Sequence, residues 1–139
     1  MTDKNIHMLW NDESTLPKYA KSSYEEYKRI NPNWNVMLHI GLDDVFDKSF
    51  KYYGMYKKMY DMQLSSNKCI SRLSDVLRQY FIHRYGGIWV DCDTWPLKSF
   101  DGMYKKSFSA RLLNSSRDIR DFYCFGCFDN RDEVFVKSI

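Results

Sequence analysis

Between Asn5 and Ile40 the spacing of apolar residues switches from strand-like to helical and back. NIHMLW (5–10) is short and mostly apolar, and it runs into the polar loop NDEST, as a buried strand would. Pro17 then opens a helix in which Tyr19, Ala20, Tyr24, Tyr27 and Ile30 recur at helical spacing, with Lys and Glu on the other side. Asn31-Pro32-Asn33 stops it, and WNVMLHI (34–40) reads as a second strand closed by Gly41. Strand, helix and strand in this order form a βαβ unit, which implies a parallel pair and a right-handed crossover.

Residues 42–67 carry Val45, Phe46, Phe50, Tyr53, Met55, Tyr56, Met59, Tyr60 and Met62, a pattern of one or two short helices broken near Gly54. Ser65, Ser66 and Asn67 supply a break and a helix cap. From Cys69 a single stripe runs through Ile70, Leu73, Val76, Leu77, Tyr80, Phe81 and Tyr85, and Gly86-Gly87 ends it where a left-handed residue is needed. Ile88–Val90 follows as a buried strand, and the turn at Pro96 comes soon after. Residues 107–113 and 122–128 read as two later strands around the polar loop NSSRDIRD, and residues 129–139 begin another helix. No repeat or linker divides the pattern, so the expectation is one α/β domain over 1–139.

The chain has 139 residues, enough for a sizeable core, and 17% of them are aromatic, which supplies flat faces for bases or sugars as well as packing. Codon bias in an AT-rich viral or bacterial genome would enrich Tyr and Phe in the same way. A net charge of +3, spread over intermingled acids and bases, gives no clustered basic face for nucleic acid. With no signal-like N-terminus and no long apolar run, a soluble cytoplasmic protein is expected. The four cysteines make no disulfide framework, and C-F-G-C at 124–127 lacks the second pair a zinc site wants, so buried thiols are expected.

The densest chemistry lies in SDVLRQYFIHRYGGIWVDCD (74–93). A bare D-x-D is weak evidence, since a solvated turn after a strand looks the same. Its context adds weight. On a continuing strand Asp91 and Asp93 would point to one side and Cys92 to the other. The pair sits at the carboxyl end of a strand, where open α/β sheets bind ligands. Carboxylates placed there suit Mn²⁺ or Mg²⁺ with coordination positions left for phosphate oxygens. Asp75 and Arg78 share a helix face, where an ordinary surface ion pair would contribute little. Facing a cleft, the Arg can grip a phosphate and the Asp can accept from sugar hydroxyls.

The run S-D-x-x-R, the thirteen residues from Arg78 to Asp91, and G-G-I-W-V-D-C-D together resemble glycosyltransferases of the family 32 type, with a sugar-binding region containing the D-x-D motif. IHMLW and NPNW match the opening of that family, so the resemblance spans roughly residues 5–101. Its relatives include yeast mannosyltransferases, capsule-type transferases and the glucosylating domains of clostridial toxins.

The resemblance implies a GT-A-like, Rossmann-type nucleotide-binding sheet with flanking helices, here cut short on its C-terminal side. It implies a metal-dependent, retaining transfer of sugar from a UDP- or GDP-sugar to an acceptor hydroxyl on a glycan, lipid or protein. Asp75 and Arg78 would contact the donor sugar, Asp91 the ribose, sugar and metal-bound water, and Asp93 the metal itself. Trp10 would stack on the base, Ser74 would neighbour the nucleotide, and Trp89 stands where relatives carry Tyr. Arg78, Asp91 and Asp93 are thus the expected catalytic set, with Asp91 and Asp93 as metal ligands. Two other readings keep the residues but change the role: a non-catalytic nucleotide-sugar-binding module, and a phage-type transferase acting on modified DNA bases. The short chain also raises the expectation of a partner chain or oligomer that completes the site.

Other groups lack such context. His7, His39 and His83 are scattered, Asp43-Asp44 and Glu25-Glu26 read as solvated or helix-start charges, and no nucleophile with a positioned base stands out. Asp91 and Asp93 are too close together to straddle a glycosidic bond for hydrolysis.

Overall fold

A computed structural model of the chain describes residues 3–42, 45–66, 70–111 and 122–137. Its elements are β1 (Asn5–Trp10), α1 (Lys18–Ile30), β2 (Asn35–Ile40), α2 (Tyr53–Ser66), α3 (Ile70–Tyr85), β3 (Gly87–Val90), β4 (Phe108–Arg111), β5 (Phe122–Cys127) and α4 (Arg131–Lys137). The strands form one mixed sheet in the order β2-β1-β3-β5-β4. β1 is parallel to both β2 and β3, whereas β5 runs antiparallel to β3 and to β4.

Alternation along the strands splits the apolar residues between two cores. Ile6 and Met8 of β1, with Ile88 and Val90 of β3, pack with Ala20 and Tyr27 of α1. Leu9 and Trp89, on the other face, pack with Leu73, Leu77, Tyr80 and Phe81 of α3 and with Tyr56 and Tyr60 of α2. The helices therefore sandwich the sheet, and β1 and β3 are covered on both sides. That is why both read as nearly continuous apolar runs.

The Gly-Gly stop works as the sequence implies. Gly86 and Gly87 both have positive φ (75° and 117°), and a Cβ on Gly87 would lie 2.2 Å from the Asn5 carbonyl oxygen of the neighbouring strand. Any side chain there would push β3 away from β1.

Several expectations shift. Gly54 does not break a helix: α2 begins at Tyr53, so Gly54 sits in its first turn, where its low propensity costs little. Trp34 precedes β2 and is buried against Phe100, Tyr104 and Phe128. β3 ends at Val90, so Asp91 and Asp93 belong to a turn and not to a continuing strand. Cys69, Asn67, Asp43-Asp44 and the NSSRDIRD loop lie outside the described residues. No described helix is long and apolar enough to cross a membrane.

Candidate functional site

From β1 the chain leaves through α1 to β2 on one side and returns through α3 to β3 on the other. The strand order therefore reverses between β1 and β3, and the crevice beyond their carboxyl ends is where this architecture binds ligands. A pocket of about 300 Å³ lies there. Trp10 ends β1, Ser74, Asp75 and Arg78 come from α3, and Trp89, Asp91 and Asp93 come from β3 and its turn; all seven line this pocket. Leu9, Cys92 and Tyr19 complete its wall. Every residue expected at the site is thus brought together.

The acidic turn is held from three directions. Thr94 Oγ1 donates to the Asp91 carbonyl at 2.7 Å, and the Thr94 amide donates to the same oxygen at 3.2 Å, closing the turn. Since that hydroxyl proton is committed, the Tyr27 hydroxyl donates to Thr94 Oγ1 at 2.7 Å, and Ser23 Oγ donates to the Thr94 carbonyl at 2.6 Å. Both bonds anchor the turn on α1. Cys92 Sγ donates to the Leu9 carbonyl at 3.2 Å and ties the turn to β1. Cys92 points into the α1-side core, which leaves Asp91 and Asp93 on the pocket side, the outcome expected of an alternating strand but produced by a turn.

Trp89 is only 3% exposed, and its ring belongs to the α3-side core. Its indole Nε1–H donates to Asp91 Oδ1 at 2.9 Å. Arg78 is buried as well, with its Nη2 3.1 Å from Asp75 Oδ1 and its side chain 6% exposed. This ion pair is therefore largely shielded from water, unlike the solvated pair that helical spacing alone suggests. Trp10 lies half-buried, and its indole N–H donates to Thr15 Oγ1 at 3.1 Å, which pins the ring at the mouth of β1.

Charge at the site is unbalanced toward the negative. Burial, with added repulsion from Asp93 and Asp75, lifts the Asp91 carboxyl to about 6, although the Trp89 hydrogen bond and the Arg78 charge oppose the shift. A carboxylate raised by desolvation and acidic neighbours is a place where a bound cation relieves strain. No cluster of three or more potential metal-ligand side chains occurs among the described residues. Two carboxylates suffice for a hard cation that takes its remaining ligands from water and substrate phosphates, so the donor set fits Mn²⁺ or Mg²⁺ carried with a diphosphate.

Sequence reasoning missed Tyr19, which α1 places in the pocket wall and leaves half-exposed, and the anchoring set Ser23, Tyr27 and Thr94. Tyr19 and Tyr27 are visible in the sequence only as members of one helical stripe. Their different tasks depend on where α1 sits.

Comparison with known proteins bears on this geometry. Residues 3–110 match the family described as "Glycosyltransferase sugar-binding region containing DXD motif". Among solved structures, "PaToxG Glycosyltransferase" shares the fold with a TM-score of 0.55 at 21% sequence identity, over 71% of this chain and 45% of that one. The chain thus spans less than half the length of that neighbour. No curated protein sequence matches it.

Proposed function

Because the chain belongs to the family of glycosyltransferase sugar-binding regions containing a DXD motif, we propose that it binds a nucleoside diphosphate sugar, UDP- or GDP-linked, in the β1–β3 pocket and transfers the sugar to an acceptor hydroxyl. The observation that carries this reading is the convergence of Trp10, Asp75, Arg78, Asp91 and Asp93, from separate elements, on one pocket at the switch point.

In this reading Trp10, at the end of β1, offers its ring to the base, and Ser74 borders the nucleotide. Asp75 accepts from sugar hydroxyls while it holds Arg78 in place. Arg78 faces the negative charge that develops on the departing diphosphate, in a buried setting where its field is poorly screened. Asp91 and Asp93 would hold Mn²⁺ or Mg²⁺; when bound, the cation neutralises charge on the leaving diphosphate. Trp89 acts from beneath, by fixing the orientation of Asp91. The reaction is proposed to retain anomeric configuration, and no general base is assigned.

A second reading, a module that binds the donor without transferring it, uses the same pocket and omits only the transfer step. One experiment tests both: a thermal-shift screen of UDP- and GDP-sugars with and without Mn²⁺, followed by an assay for free sugar. Stabilisation that requires metal and nucleotide-sugar together supports donor binding, and slow release of sugar supports the enzyme over the module. If no nucleotide-sugar shifts the melting temperature with either metal, the reading fails.

A further inference from the structure

Arg78 lines two cavities. One is the donor pocket; the other, of about 410 Å³, lies between α3 and the edge strand β4. Strand register fixes how this second cavity runs. Ser109 is opposite Phe125, Phe125 is opposite Trp89, and Cys127 is opposite Gly87. Since Trp89 and Cys127 face the α3 side, Ser109 and Phe125 face it too. From Phe125 to Cys127 the floor descends about 7 Å, the rise of two strand residues. Phe135 of α4 lines the cavity beyond the end of β5.

Its chemistry differs from that of the donor pocket. Phe125, Cys127 and Phe135 make an apolar slot, with Arg78, Gln79, Ser107 and Ser109 as its polar members. The volume lies in the range of small-molecule sites, which are mostly apolar with a few placed polar groups. A phosphate or a bare sugar would lose hydration here with little to replace it. The slot shares Arg78 as a wall with the donor pocket, so whatever fills it reaches within one side chain of the transferred sugar. Sugar transfer requires such a neighbour, because the acceptor oxygen must come within about 3–3.5 Å of the anomeric carbon.

We propose that the slot between α3 and β4 holds the apolar tail of the acceptor, so that the sugar is transferred to a hydroxyl carried on an aliphatic chain. This rests on the donor-binding reading above. The hydroxyl sits at the Arg78 end, and the chain lies over Phe125 toward Phe135. The acceptor oxygen forms its bond to the anomeric carbon while the bond from that carbon to the diphosphate oxygen breaks. The electron pair leaves with the diphosphate, and the hydroxyl proton passes to diphosphate or water.

The test uses the full chain with Mn²⁺ and the nucleotide-sugar that stabilises it, and offers ethanol, butan-1-ol, hexan-1-ol and octan-1-ol below their solubility limits. The expected result is a rise in kcat/KM of roughly fourfold per methylene, the transfer free energy of a buried CH₂ expressed as a ratio, up to a plateau set by the slot. Ser109→Trp, at an exposed edge-strand position, fills the slot and is expected to abolish the chain-length dependence while leaving donor hydrolysis by water unchanged. Donor hydrolysis without any chain-length dependence would overturn the acceptor assignment and leave the donor reading standing. So would a dimer in sedimentation that Ser109→Trp dissociates, since a second copy would then own the slot. Absence of both donor binding and hydrolysis would instead overturn the donor reading, and this inference with it.

Discussion

The indole N–H of Trp89 donates to Asp91 Oδ1 at 2.9 Å, so the core of the protein is wired directly to the first carboxylate of the acidic turn. Trp89 is held by the α3-side packing, and it transmits that rigidity to Asp91. Trp89→Phe keeps a ring in the core and removes the donor. Asp91 then holds its proton more tightly, because a hydrogen bond that favours the charged form is gone. The pH midpoint of metal-dependent donor binding is expected to move up by roughly one unit. Calorimetric titrations across pH 5–8 read the midpoint directly, and an unmoved midpoint would show that the bond carries no weight.

Asp91 itself links stability and binding with opposite signs. Its carboxyl is raised in the folded protein from 3.8 to about 6, chiefly by burial. The folded state therefore favours the protonated form, and it loses stability as pH rises from 3.8 through 6. Cation binding needs the ionised form, so donor affinity in the presence of metal is expected to fall as pH drops below 6. Asp91→Asn, which can still accept from Trp89, is expected to stabilise the fold by about 1–2 kcal/mol at pH 7.5 and to abolish metal-dependent binding. Urea denaturation and a binding titration on the same variant check both halves.

Acid should weaken the fold through a histidine pair. With His7 neutral and its Nε2 donating to the Gly86 carbonyl at 3.3 Å, its Nδ1 accepts from His39 Nε2 at 3.0 Å, and a second proton on His7 would remove that acceptor. Burial lowers His7 to about 3, with repulsion from His39 adding to the effect, and lowers His39 to about 4; burial lowers His83 as well. Unfolded histidines take up protons near 6.5, so stability declines as pH falls from 6.5 toward 4 and 3. His7 and His39 each add a slope approaching 1.4 kcal/mol per pH unit within that range. His39→Gln keeps a donor for His7 and takes up no proton, so urea midpoints measured between pH 5 and 7 should change less steeply in that variant.

Cys124 and Cys127 are three residues apart on β5, and alternation puts Cys124 in the α1-side core and Cys127 in the α3-side core. They cannot form a disulfide across the sheet, and burial pushes their thiols up, Cys124 to about 12. Alkylation of the native protein at pH 8 is expected to leave Cys92, Cys124 and Cys127 unmodified by peptide mass mapping. A Cys124–Cys127 crosslink would contradict the strand register.

The βαβ start, the Gly-Gly stop and the helix that carries Asp75 and Arg78 were legible because each rests on spacing or on local backbone chemistry. That the candidate residues share one pocket was legible as well, since they cluster in one sequence run plus Trp10. What stayed hidden depends on tertiary placement. That Asp91 and Asp93 occupy a turn follows from Thr94 bonding back to Asp91 and out to α1, and no local pattern announces that. Trp89 reads as a flat face for a ligand until the packing of β3 shows its ring turned into the core. The His7–His39 pair needs the parallel register of β1 and β2, which sets Leu9 opposite His39. The apolar slot needs the antiparallel register of β4 and β5, which no spacing in the sequence supplies.

The central claim is a cation-assisted diphosphate site at the acidic turn, and calorimetry of UDP with and without Mn²⁺ tests it most directly. Asp93 is exposed, so Asp93→Ala should leave the melting temperature of the free protein unchanged. The wild-type chain is expected to bind UDP only when Mn²⁺ is present, and Asp93→Ala to weaken that binding at least about tenfold, a loss of 1.4 kcal/mol or more. Equal affinity in the two proteins, or UDP binding that ignores the metal, would contradict it.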